Sequence, residues 1–135
     1  MNRSVMIAAL FATLAAPQSF AANYDGTHPF VCAPIDILSC GAGGRCTRET
    51  AASADLPQFL KIDVGQNQIT GTRANGETLK AAIDKVQHVE DRMVLQGIDG
   101  KIMWSVLIGA DSGDMTLTAG GDKVGFVAFG ACTQG

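Results

Sequence analysis

The chain is expected to form a mainly β domain, an antiparallel meander closing into a small barrel or sandwich and carrying two disulfides. Three observations predict this. Short runs of alternating apolar and polar side chains recur from residue 59 to the C-terminus. Gly, Asn and Asp separate those runs at regular intervals, as they do at the corners of sandwiches and barrels. Four cysteines stand in a short chain that opens with an export signal, and an even count in such a setting reads as a disulfide framework.

The first element is the signal. Arg3 begins it, Val5 to Ala16 form a short apolar stretch, and Ser19-Phe20-Ala21 fits the small-x-small rule for cleavage. The apolar stretch falls short of the roughly 20 residues that span a bilayer. No cysteine at the cut offers a lipid attachment point. Residues 1–21 are therefore read as a signal peptide, and residues 22–135 as a single disulfide-stabilised domain that is periplasmic or secreted and not membrane-anchored. At 114 residues the mature chain can bury roughly 65% of its unfolded surface.

Residues 22 to 57 look largely irregular, with Phe30-Val31-Cys32 as an edge strand stopped by Pro34. The four cysteines allow three pairings. Cys40 and Cys46 enclose the glycine-rich CGAGGRC, which lets the chain turn back on itself, so the expected bonds are Cys40–Cys46 and Cys32–Cys132. In a chain-entropy account the long closure is worth about 4.7 kcal/mol and the short one about 2.4 kcal/mol. A zinc site would require C-x-x-C spacing and nearby histidines. The chain has only His28 and His88, neither close to a cysteine in sequence. The glycines beside Arg45 could also form an anion nest, but no helical pattern follows them as in a phosphate loop.

The strands come next. Leu60, Ile62 and Val64 share one face of the run from Phe59 to Val64, Gly65 to Asn67 turn, and Gln68–Thr72 returns. Thr78 to Val86 resists a strand reading. Leu79, Ala82, Ile83 and Val86 match the i, i+3, i+4, i+7 template, so one short helix on the sheet is expected there. Met93 to Gln96 follows, then Asp99-Gly100, a strong hairpin signal. Ile102, Trp104, Val106 and Ile108 alternate along the next strand. Asp111 to Asp114 make a turn, Met115 to Thr118 alternate again, and Gly120-Gly121-Asp122 lead into Val124 to Cys132.

The last strands are apolar on both faces. Phe126 and Ala128 point one way and Val127 and Phe129 the other, while Met103 and Leu107 face away from Trp104. A meander with one wet face should instead alternate apolar and polar. Two explanations stand: the N-terminal segment tied down by Cys32 covers the second face, or Met103, Leu107, Val127 and Phe129 form a binding or dimer surface.

Composition narrows the chemistry. Without Arg3 the domain keeps nine basic side chains against thirteen acidic ones, a net charge of −4 with no basic stripe, which argues against nucleic acid. Ser105 lacks a G-x-S-x-G elbow, disulfide cysteines cannot act as nucleophiles, and no nucleotide fingerprint follows a strand and opens a helix. The expectation is a protein that is not an enzyme and needs no cofactor. One polar constellation follows from the meander: Glu90 and Asp91 should share an end of the sheet with Asp111 and Asp114, a weak candidate cation cluster whose spacing matches no calcium loop.

Phe30-Val31-Cys32, the Cys40 to Cys46 loop, Trp104-Ser105-Val106-Leu107-Ile108 and Gly125 to Thr133 together resemble a group of small exported bacterial proteins of unknown function. The chain is also similar in kind to periplasmic inhibitors of c-type lysozyme, which are small disulfide-bearing β-barrels. Their inhibitory loops carry a serine-glycine stretch leading to a tyrosine. Here the stretch is Ser112-Gly113, and the sole tyrosine is Tyr24. The expected function is a non-catalytic interaction or structural module of the bacterial envelope. The alternatives are a barrel binding a small apolar ligand and an inhibitor of an envelope-degrading enzyme. The partner is then an envelope protein or a small apolar ligand.

Overall fold

The computed structural model describes residues 22–134, so the expected signal peptide over residues 1–21 lies outside the described residues. Ten strands form one antiparallel sheet: β1 (Phe30–Gly41), β2 (Cys46–Glu49), β3 (Leu60–Asp63), β4 (Gln68–Thr72), β5 (Thr78–Ala82), β6 (Lys85–Val89), β7 (Arg92–Asp99), β8 (Ile102–Gly109), β9 (Asp114–Gly120) and β10 (Val124–Gln134). Their spatial order is β5-β4-β3-β1-β10-β9-β8-β7-β6, with β2 as a second partner of β1. No described helix is long and apolar enough to cross a membrane.

β1 is a long interior strand of this sheet and not the short edge strand expected. It pairs along its whole length with β10, and its other side is shared by β3 at Phe30–Cys32 and β2 at Ile37–Cys40. Pro34 does not end the strand. The register with β10 slips between Pro34 and Asp36, leaving Ile35 as an extra, exposed residue. A bulge of this kind tolerates a proline inside a sheet because the ladder is already interrupted there. It also changes the phase: Phe30, Cys32 and Pro34 point inward before it, Ile37 after it. Gly130 makes the bulge possible, since a Cβ at that position would lie 2.0 Å from the Ala33 carbonyl oxygen.

The expected helix over residues 78–86 is instead two strands. Leu79, Ala81 and Ile83 alternate inward at period two, while Ala82, which the helical template placed on the buried face, is exposed. The segment pairs with β4 through Thr78–Ala82 and with β7 through Lys85–Val89. At the junction the Asp84 N–H donates to Gln96 O at 2.9 Å, and the Ile98 N–H donates to the Asp84 carboxylate at 3.0 Å. Each of β4 and β7 needs a ladder partner on that side, and a helix could satisfy neither. Because one continuous segment serves both ends of the strand order, the sheet curls into a half-barrel.

The core fills the concave side. Ile37, Ile62, Met93, Leu95, Val106, Ile108 and Met115 are its largest buried side chains. One end is plugged by Tyr24, whose ring meets Phe30 edge-on at 5.5 Å and whose hydroxyl donates to Cys132 O at 2.9 Å. Both disulfides join directly opposed residues: Cys32–Cys132 links β1 to β10 on the buried face, and Cys40–Cys46 closes the β1–β2 hairpin. The β7–β8 turn falls one residue later than the Asp99-Gly100 signal. Asp99 pairs with Ile102, and Gly100, at φ 61°, takes the first central position of a two-residue turn, as in a type II′ hairpin.

Candidate functional site

The convex face carries the four residues singled out from sequence. Successive pairing of β7, β8, β9 and β10 lines up Val94, Leu107, Thr116 and Phe129 in one row across the strands, and Gln96, Ser105, Thr118 and Val127 in the next. Ile98 and Met103 form a third apolar pair beside them. Met103, Ile98 and Phe129 are 66%, 62% and 49% exposed, and Leu107 is also exposed. The N-terminal segment does not cover this surface: Tyr24 enters the concave side, at the plugged end, so that expectation is corrected. Next to Met103 the twisted sheet forms an open depression of about 810 Å³, with Lys85, Lys101 and Asp122 on its rim. Sequence reasoning missed Val94 and Ile98, although the alternation of β7 placed them on the same side as Gln96.

A second concavity lies at the open end of the half-barrel, opposite Tyr24. It has a volume of about 240 Å³, and its walls include Leu60, Ile69, Leu79, Leu117 and Phe126. Trp104 forms another part of the wall. Its ring packs over Gly97, its cross-strand partner, where a Cβ would come within 2.3 Å of the indole Cζ2. Trp104 Nε1 is buried and has no hydrogen-bond partner among the described residues. The loop from Ala54 to Leu56 forms part of the rim together with Arg73 and Asp99. Arg73 Nε donates to Asp55 O at 3.0 Å and stands 3.4 Å from the Asp55 carboxylate. This cavity could not be found from local sequence, because its walls come from strands far apart along the chain.

The remaining candidates are placed as follows. The CGAGGRC loop is a disulfide-closed hairpin turn. The N–H groups of Gly41, Ala42 and Gly44 donate to Arg45 O, Lys123 O and Gly41 O, so these amides are committed to carbonyls and not to an anion. Glu90 and Asp91 do share an end of the sheet with Asp111 and Asp114, where the Ala110 N–H donates to Asp91 O at 2.8 Å. The Asp91 carboxylate is taken by Arg92. Among the described residues no group of three or more His, Cys, Asp or Glu side chains is arranged to hold a metal ion, the four carboxylates of that end included. Ser112-Gly113 does meet Tyr24, with Gly113 directly beneath the ring. Tyr24, however, is only 5% exposed, so its ring is a plug and not a projecting loop residue.

Comparison with protein-family models, with curated proteins and with solved structures finds no match for this chain.

Proposed function

We propose that this protein is an exported, non-catalytic interaction module of the bacterial envelope, and that the convex face of β7 to β10 receives a protein partner. The observation that carries the reading is the set of outward apolar side chains Val94, Ile98, Met103, Leu107, Val127 and Phe129, interleaved with uncharged polar ones, on the outside of the sheet, with Ile98, Met103, Leu107 and Phe129 exposed. Large apolar patches are uncommon on soluble monomers and mark interaction sites where they occur. Two disulfides and no free cysteine support an oxidising compartment. The threonines and serine between the apolar rows give the face hydrogen-bonding groups without charge, and interface centres are depleted in charged residues.

The test is capture of partners from an envelope extract by the tagged mature protein, with Phe129→Ala and Met103→Ala beside it. Both variants should keep stability within about 1 kcal/mol, as half-exposed or exposed positions do, and should lose the captured partner. Retention of that partner by both variants would remove this face as the binding surface. Light scattering on the purified protein separates a second copy of the chain from a different partner.

A further inference from the structure

We propose that the cavity at the open end of the half-barrel takes the aliphatic tail of an amphiphile whose head group, uncharged or cationic, stays in water at the mouth. The site lies on the concave side, and it stands or falls independently of the convex face.

The walls grade from floor to mouth. Leu60, Ile69, Val106 and Leu117 form the floor and are at most 6% exposed. Leu79, Ile102 and Phe126 form a collar that the fold leaves only half-buried. Covering such a collar removes apolar surface from water, which favours an occupant. No side chain of floor or collar can hydrogen-bond a guest. A polar group inside would leave water and go unpaired, so the part of the guest that enters is hydrocarbon. An apolar cavity of this scale takes such a guest more readily than water.

Length follows from volume. Tyr24 plugs the far end of the half-barrel, so the cavity is blind. Its volume of about 240 Å³, at roughly 30 Å³ for each water-sized group, holds about eight carbons. A longer tail leaves its remainder outside.

The head is chosen at the rim, where every charged side chain of the lining stands. Arg73 is already held by the Asp55 carbonyl and faces the Asp55 carboxylate, and Asp99 adds a second carboxylate. An anionic head would meet two like charges and one arginine that is already paired.

The test titrates n-alkanols from butanol to decanol into the mature protein and follows its methyl resonances by carbon–proton NMR. The Ile69, Leu79 and Leu117 methyls should shift saturably, while those of Met103 and Leu107 on the convex face should not. Affinity should rise about fourfold for each added methylene, the weight of burying one such group, and should level off near octanol. Octylammonium should bind at least as well as octanol, and octanoate more weakly. Ala81→Leu, which fills the cavity from the β5 wall, should bring the plateau to a shorter alcohol. The plateau is read on the unaltered protein, so the test does not depend on the folding of that variant. Affinity climbing unbroken to decanol, shifts confined to the convex face, no shift at all, a preference for octanoate, or an unmoved plateau in folded Ala81→Leu would each overturn the proposal.

Discussion

At the plugged end of the half-barrel, Met93, Ile108 and Met115 meet beneath Tyr24 and Phe30, and the Cys32–Cys132 bond joins β1 to β10 beside them. At the open end the same strands contribute smaller or more exposed groups: Gly97 from β7, Ala119 from β9, Ala81 from β5 and the half-buried Leu79. The backbone ladders are equally regular at both ends. What differs is side-chain volume. Long flexible methionines, both buried, close one end. At the other, the indole of Trp104 takes the space over Gly97, and a cavity remains beside Ala81 and Ala119. A half-barrel can thus spend its bulk on stability at one end and keep room at the other.

The largest expected effect is at the plugged end. Cys132→Ser should lower stability by about 4–5 kcal/mol, and Cys46→Ser by about 2 kcal/mol, because the first opens a long closure and the second a short one. Denaturant titration under non-reducing conditions measures both, and equal losses would show that loop length does not govern the difference. Next comes the packing contrast itself. Met93→Ala should cost about 2–5 kcal/mol through the cavity it leaves. Ala81→Leu at the open end should change stability by about 1 kcal/mol or less, or raise it, because the added methylenes enter space that already exists. A heavy penalty for Ala81→Leu would mean that the open end is as tightly packed as the plugged one.

Surface pairs should matter least. Asp36 accepts from Arg48 at 2.6 Å, but both side chains are well exposed. Asp36→Asn should therefore cost about 0.5 kcal/mol or less, within reach of the same titration. Asp25 lies in the segment that leads into the plug. The Thr27 hydroxyl and then its N–H hold the Asp25 carboxyl below its ordinary value. Its folded pKa is depressed, so any stabilising contribution is present above the unfolded value and is lost as pH falls through the lowered folded value. Carboxyl-detected NMR should place its midpoint below the usual aspartate range, and Thr27→Ala should move it upward.

Legibility was uneven along the chain, and the reasons are local. From Leu60 onward the alternation of apolar residues placed most strands, because each has one face in the core and one outside. The outward positions of Met103, Leu107, Val127 and Phe129 followed from that period alone. The same rule misplaced Thr78 to Val86, where apolar residues fit a helix and two strands about equally well. The open ladders of β4 and β7 decided between them, and those edges are invisible to a local window. The N-terminal third failed differently. Pro34 reads locally as a strand breaker, and only the β10 partner, with Gly130 opposite, reveals that a bulge absorbs it.

The sequence by itself determined the strand class, the inward and outward sides of β7 to β10 and the pairing of the cysteines, because these depend on residue spacing and on a side-chain period of two. Tertiary structure alone decided that β1 is a long interior strand, that residues 78–89 join both ends of the sheet order, and that Tyr24 fills one end while Trp104 overlooks a cavity at the other. Those features depend on which distant strands pair and on how much volume each brings to a shared space. Both are properties of the closed sheet, carried by no short stretch of the chain.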